Sequence, residues 1–472
     1  MGVTYTLQRY QKEATTPEKA ADFIRRAIAA HQASTAYQEA QISRRYYYGE
    51  NETITQRQNL IYDEYGKAYK DIWTPNHKLK SHWYHNAVDQ RVSYLLAADG
   101  VTFAKPETKK RLETPRYRFD AQTFIAASEA FIGGTSYSFF NADHIDVFDF
   151  ESYVEILDET NGEMGMGIRH WRLADDTPRI VYLFEADGYT EFREDEDGRL
   201  LMFEGKRPYR QNVVRSAVSE EITPGAPYPG FPIVPLSCNR RGTPLLTGNR
   251  ETIDALDISR STSVNHVESD TLYWLFEGLQ GMDKFDIVKA IADLRRIHGL
   301  ATPPAGSDAR ITPHTVQAPF EGLHATIEEV KRQLNFDFSV FDPQLISSSG
   351  NATATQIRAA YDPLNVATNV FELEHLIPYV SRILELAEID DEFSFKRDAI
   401  INKQEEMQTL LMLAQYLDAE YVREAGMTIL GDADRFEEVS RRMDAEAAAR
   451  LANAGADEET EESENGRKQV SV

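Results

Sequence analysis

The feature that most constrains this chain is a long helical pattern interrupted by proline. After Pro363 the apolar residues Val366, Val370, Leu373, Ile377, Val380 and Leu384 recur at steps of four, three, four, three and four, which reads as the seam of a helix buried along one face. The preceding "ATATQIRAAY" is also rich in helix formers, so the pattern runs from about Ala352 to about Ala387, ~54 Å at ~1.5 Å per residue. Proline in a helix interior removes a donor and clashes with the preceding turn, at a cost of about 3 kcal/mol. Either the helix kinks at Pro363 or two helices meet there, and Pro378 asks for a second, smaller accommodation.

A chain of 472 residues, 42% of them hydrophobic, can form several domains with real cores. No run of about 18 apolar residues is long enough to span a bilayer. The start, "MGVTYTLQRYQKEATTPEKA", lacks the apolar core of a signal peptide, so assembly in the cytoplasm is expected. The single cysteine, Cys238, excludes an internal disulfide and a cysteine-based metal cluster. A net charge of -25 argues against a protein that grips nucleic acid, since tight binding sets Lys and Arg against phosphates. It is compatible with DNA that slides past an acidic lining without sticking. Part of the acidity is the tail "ADEETEESENG", whose composition predicts disorder.

Thr16-Pro17-Glu18 reads as a cap with proline at the first helical position, opening a helix with Phe23, Ile24 and Ile28 on its buried face and running to Gly49. A second helix covers "KLKSHWYHNAVDQRVSYLLAADG" to Gly100, and a third about Pro115 to Phe131. From Thr135 the period becomes two. "YVEIL", "GIRHWRL", "RIVYLFE", "YTEFRE" and "RLLMFEG" alternate apolar and polar residues between the turns Asn161-Gly162, Asp187-Gly188 and Asp197-Gly198, the pattern of an antiparallel meander. "ITPGAPYPGFPIVPLS", with five prolines and two glycines, marks a crossing to a new unit. Beyond it, Ile253, Leu256, Val264, Val267 and Leu275 outline a helix from about Glu251 to Glu277. "MDKFDIVKAIADLRRIHGL" reads as a shorter amphipathic helix and "ARITPHTVQAP" as a short extended pair or loop. The next helix carries Leu323, Ile327, Val330 and Leu334, and "FDPQLISSSGNATAT" is a small-polar loop before the long helix. Helices follow "DDEFSFKRD" to about Leu451. The fold class is α+β, mainly helical.

Catalytic constellations are missing from the sequence. There is no P-loop, dinucleotide fingerprint or nucleophile elbow. His82 and His85 in "SHWYH" share a side of a helix, but zinc needs further ligands that the sequence does not nominate, and two satisfied histidines among aromatics is the simpler reading. "EDEDG" resembles the start of a calcium loop without its bidentate Glu and reads as a hairpin turn. "YYY" at 46–48 lacks the basic, glycine-spaced context of a base-stacking strand and reads as aromatic core at a helix end. No cofactor, metal or catalytic residue is expected, and the chain does not read as an enzyme.

Several stretches together resemble the portal proteins of tailed bacteriophages, of the siphophage type. "RRYYYGENETI" is similar to that family's early Tyr-Tyr-x-Gly segment, with Asn51 where the family often has His. "TPNHKLKSHWYHNAVDQRVSYLLAADGVTF" resembles the loop and helix ending in Tyr-Leu-Leu-Gly, although "AAD" intervenes here before Gly100. "FIGGTSYSFF" resembles the Gly-x-x-Tyr strand entry. "FPIVPLSCNRRGTPLLTGNRETIDALDISRSTSVNHVESD" is similar to the Ile-Pro-x-x-Pro edge and stem helix, and "SSSGNATATQIRA" to the Ser-Gly-x-Ala before the long helix. The matches spread over roughly residues 40 to 390.

The resemblance implies a ring, usually a dodecamer, at one vertex of the capsid in the virion. Its channel passes double-stranded viral DNA in packaging and ejection. The surrounding partners would be the terminase large subunit, a head-tail adaptor, and the major capsid and scaffolding proteins, with no membrane involved. It implies a wing at 1–235, a first stem helix at 236–280, a clip at 281–318 and a second stem helix at 319–341. A tunnel loop at 342–353, the long kinked wing helix at 354–394, a helical crown at 395–455 and the acidic tail at 456–472 complete the chain. Gln344, Ser347, Ser348, Ser349, Asn351 and Thr353 would meet the DNA backbone through neutral hydrogen bonds, without the salt-dependent grip of Lys. Lys289, Arg295 and Arg296 in the clip would dock a partner, and Pro363 would bend the wing helix over the stem. The competing expectation is another virion structural protein, a scaffold or adaptor without a DNA channel.

Overall fold

The computed structural model describes residues 5–62, 65–72, 74–96, 100–141, 144–215, 220–268, 272–277, 310–315, 320–342, 354–395, 397, 403–430, 435–436, 438–443 and 445. The chain is α+β, with helices and several small antiparallel sheets. It divides into two compact units, one of Met1–Phe341 and Pro363–Asp398, the other of Asp342–Asp362 and Ala399–Val472.

In the first unit the alternating segments form the meander expected from them. Tyr153–Leu157, Met164–Trp171, Ile180–Glu185, Gly188–Glu194 and Leu200–Arg207 pair antiparallel in chain order. Gly162 and Gly198 adopt positive φ at two of the turns. One face of this sheet buries Ile156, Met166, Ile168, Val181, Leu183 and Phe192 against Phe23, Ile24, Ala27 and Ile28 of the Pro17–Gln32 helix. Each such large side chain, fully withdrawn from water, contributes about 1.5–3 kcal/mol. That helix starts where its cap was read, with Thr16 Oγ1 accepting from the Lys19 N–H. It does not run on to Gly49. It ends at Gln32, and Ser34 caps a new helix, Thr35–Tyr47, by accepting from the Tyr37 N–H at 3.2 Å.

A second sheet places Thr135–Asn141 between Ile233–Ser237 and His144–Phe148. Its central strand is buried almost throughout. The helices Trp83–Leu96 and Phe119–Gly133 and the C-terminal part of the long helix enclose the largest core, with Phe131, Phe338, Phe371, Leu376, Tyr379 and Val380 within it. Two expected helix boundaries move. Residues 77–82 are extended rather than helical, and the third helix begins at Phe119 after Arg118 in the left-handed conformation, with a separate helix at Pro106–Leu112.

The helix expected over Glu251 to Glu277 spans Arg250–Glu268, and Leu272–Glu277 is a strand paired with Arg310–Thr315. The aromatic run Tyr273-Trp274 and Phe276 favours extended backbone, so the expected first stem helix stops short of 280. Ile253 and Leu256 are buried as expected, whereas Val264 and Val267 are exposed. The helix Phe320–Asp337 packs against Arg250–Glu268 and buries Leu334.

The long helix is continuous by hydrogen bonding through Pro363, from Ala354 to Phe371. The division between the two compact units falls at Asp362–Pro363. The larger irregularity lies just before Pro378: Glu372–Leu376 form a wide turn in which the Ile377 N–H bonds the Glu372 carbonyl, five residues back. Ile377–Leu386 then continues as α-helix. This turn overturns half of the seam read from the sequence. Val366, Val370 and Leu373 are 57%, 50% and 67% exposed, and the buried residues are Leu364, Thr368, Phe371, Leu376, Val380 and Ile383. From Phe371 to Leu376 the buried face advances five residues instead of three or four. Extrapolating the regular spacing of the second half backwards therefore lands on the solvent side.

In the second unit the described helices Lys403–Leu413 and Ala419–Leu430 pack together, with Gly426 facing Met407 and Leu410.

Candidate functional site

The Arg250–Glu268 helix carries polar side chains at 254, 257, 261, 265 and 268, steps of three, four, four and three that align on one face. All of them bind two segments from the first hundred residues. Tyr46 Oη donates to Asp254 Oδ1 at 2.6 Å and Thr53 Oγ1 to Asp254 Oδ2 at 2.8 Å. The Arg250 Nε–H donates to Tyr46 Oη at 3.1 Å. Asn51 Nδ2 donates to one oxygen of Asp257, and the Ser81 backbone N–H donates to the other at 2.9 Å. The Leu79 N–H meets Ser261 Oγ at 2.9 Å, the His77 N–H meets Asn265 Oδ1 at 2.7 Å, and the His77 ring pairs with Glu268.

The match is geometric. Alternate residues of an extended chain advance ~6.6 Å, and four residues of helix ~6 Å. The N–H groups of residues 77, 79 and 81 therefore fall in step with helix positions 265, 261 and 257, the strap running antiparallel to the helix. Asp257, Asn51 and Ser261 are buried. Burial holds the Asp257 carboxyl above its ordinary value, against the hydrogen bonds from Ser81 and Asn51 that pull it down. Burial, then Asp254, likewise raises the Tyr46 phenol.

Between these two clamped segments the chain makes a ribbon, Leu60–Tyr62 paired with Ala68–Lys70, exposed along both strands. Thus both roots of the ribbon are fastened to one helix.

A groove of about 620 Å³ lies beside the long helix, lined among others by Arg91, Phe131, Cys238, Arg240, Val370 and Phe371. The Arg91 Nε–H donates to the Phe338 carbonyl at 2.9 Å. Among the described residues no carboxylate pairs with this guanidinium, and burial pulls its proton affinity down. Arg240 forks onto Glu374, and Arg241 is exposed. The Cys238 thiol, buried at the same wall, is pushed up to about 12.

Of the residues nominated from the sequence, Pro363 is within the helix as described. Gln344, Ser347, Ser348, Ser349, Asn351 and Thr353 lie outside the described residues, as do Lys289, Arg295, Arg296, the helix read at 282–300 and the acidic tail. His82 immediately precedes the Trp83–Leu96 helix; His85 pairs with Asp89 at 3.2 Å and packs against Tyr47. Among the described residues no three His, Cys, Asp or Glu side chains are grouped to hold a metal. "EDEDG" forms the turn into Leu200–Arg207, with the Asp197 and Arg199 N–H groups donating to Asp195. Of the three tyrosines, Tyr46 is buried and Tyr48 exposed. Sequence reading missed the clasp. Its helix-spaced polar residues at 254, 257, 261, 265 and 268 were the available signal.

Among the described residues no helix is long and apolar enough to cross a membrane. No family model matches the chain, and no curated protein does. Among solved structures, it is similar to a chain of the neck of a native GTA particle computed with C12 symmetry. The identity is 13% and the TM-score 0.40, covering 72% of this chain and 88% of that one. A chain of the neck of an empty GTA particle computed with C6 symmetry gives 13% and 0.41, covering 73% and 89%. Both scores are too low to assign a function.

Proposed function

We propose that this chain is a non-enzymatic portal subunit. It would form a ring at one capsid vertex whose channel passes double-stranded DNA during packaging and ejection, and which docks first the packaging motor and then the head-tail connector. The observation that carries the reading is the order of elements along the chain, taken with the motif resemblances. A meander is followed by a helix at Arg250–Glu268, an extended pair, a packed second helix at Phe320–Asp337 and the long proline-containing helix. The first and second helices supply the stem, and Leu272–Glu277 with Arg310–Thr315 the root of the clip.

In this reading Gln344, Ser347, Ser348, Ser349, Asn351 and Thr353 touch the passing backbone with neutral, exchangeable hydrogen bonds, while Lys289, Arg295 and Arg296 serve docking. The overall charge of -25 keeps the channel from holding its cargo. Negative-stain electron microscopy of the purified chain, with its mass measured by light scattering on the same sample, tests the reading. Closed rings with a hole wide enough for a double helix are expected. A ring too narrow for duplex DNA would instead favour an adaptor or scaffold.

A further inference from the structure

The ribbon and the groove are two different apolar surfaces of one chain, and both lie open. Leu60, Ile61, Tyr62, Tyr69 and Ile72 are exposed, Tyr62 at 67% and Ile72 at 74%. An isolated two-stranded ribbon is marginally stable in water, and exposed apolar strands invite pairing. Yet both of its roots are clamped by buried polar bonds to the Arg250–Glu268 helix, so the ribbon is held out rather than left loose. The groove is the converse shape, a hollow floored by Phe131 and Phe371 whose rim carries Val370 beside the exposed Leu373.

We propose that the ribbon of one copy docks in the Phe131–Phe371 groove of the next copy, a head-to-tail contact. It rests on the ring reading above for its repetition round a closed assembly. Charge selects this occupant. A chain of net charge -25 repels its own copies, so contact must use its least acidic surfaces. Residues 57–76 carry Arg57, Lys67 and Lys70 against Asp63, Glu64 and Asp71, a balance of zero. The groove sets Arg91, Arg240 and Arg241 against one carboxylate, Glu374, and is locally positive. A ribbon without excess basic residues is a poor fit to nucleic acid. Because the two surfaces differ, the contact is heterologous and closes only by rotation into a ring.

The test uses the full chain and two variants at exposed positions, a ribbon variant Ile61→Asp/Ile72→Asp and a groove variant Val370→Asp/Leu373→Asp. Circular dichroism verifies that each folds. Light scattering is expected to give an assembly for the unchanged chain and the single-chain mass for either variant alone. An equimolar mixture, in which one intact ribbon meets one intact groove, should give a two-chain species and nothing larger.

An unchanged chain that stays monomeric at all accessible concentrations overturns the proposal. So does a ribbon variant that assembles like the unchanged chain, or a mixture without the two-chain species. A ribbon variant that assembles normally but loses retention of duplex DNA would make the ribbon a nucleic-acid contact instead. Microscopy separates this from the portal reading. Channelled rings formed by the ribbon variant sink the contact and leave the portal, whereas an unchanged chain that assembles through ribbon and groove without a channel does the reverse.

Discussion

The backbone N–H of Ser81 donates to Oδ1 of Asp257 at 2.9 Å, and Asn51, from the other root of the ribbon, donates to the second oxygen of the same carboxylate. One side chain therefore ties together segments 176 and 206 residues away along the chain. Asp257→Ala would leave the Ser81 N–H and the Asn51 amide buried without an acceptor, at about 1–3 kcal/mol for each. A loss of about 3 kcal/mol in urea unfolding is expected, with faster proteolysis within residues 57–76. Asp257→Asn should cost less than about 1 kcal/mol. Asn51 Oδ1 now has no partner, and rotating that amide would let it accept from the new Asn while the new carbonyl keeps Ser81. Equal losses in the two variants would remove the clasp from the account.

The same carboxyl sets a pH dependence. Burial raises its affinity for a proton in the folded chain above that in the unfolded chain, which lies at about 3.9. The folded state therefore binds more protons in the window just above that value. The contribution is fully present at lower pH and is lost as pH rises through the folded value. Other carboxylates act oppositely, as with Glu374, held low by Arg240. The informative quantity is thus the stability difference between the unchanged chain and Asp257→Asn, measured by urea unfolding from pH 4 to 7. It should shift in favour of the unchanged chain as the solution is acidified, and a flat difference would contradict this.

The strands of the meander were legible because period two and Gly162 or Gly198 at a turn are local signals. The clasp was not, since Asn51, Ser81 and Asp257 are single polar residues far apart in sequence, brought together only by tertiary packing. The buried seam of the long helix was hidden by two things. Thr368 occupies a buried position and satisfies its hydroxyl on the Leu364 carbonyl at 2.8 Å, so the seam does not read as apolar. The wide turn at 372–376 then shifts its register. The end of the Arg250–Glu268 helix was missed because Leu275 continued the helical spacing by coincidence.

Gly134 ends the Phe119–Gly133 helix with φ of 92°, a conformation costly for any residue with a side chain. A Cβ there would also strike the backbone carbonyl of Gly242, which cannot swing aside as a side chain would. Its own carbonyl accepts from the Cys238 N–H at 2.8 Å, fastening the strand Thr135–Asn141 to the segment that leads toward the groove. Gly134→Ala is expected to destabilise by at least ~2 kcal/mol, from backbone strain of ~1–3 kcal/mol with the clash added. Thermal unfolding would show it, and a variant as stable as the unchanged chain would mean that the Gly242 loop yields.

Pro363 gives the last test, in which stability and function should part. Within a helix it leaves the Ala359 carbonyl without the N–H that any other residue would supply. Pro363→Ala restores that donor and removes the ring clash, worth up to about 3 kcal/mol, against about 1 kcal/mol for the greater freedom of the unfolded chain. A net gain of about 1–2 kcal/mol is therefore expected in denaturant unfolding. Proline at a boundary between two compact units is then a cost carried for geometry, and the more stable variant should give fewer closed rings under the microscope. A variant both more stable and equally able to assemble would take away the role given to the proline, and with it the reason proposed for bending the helix.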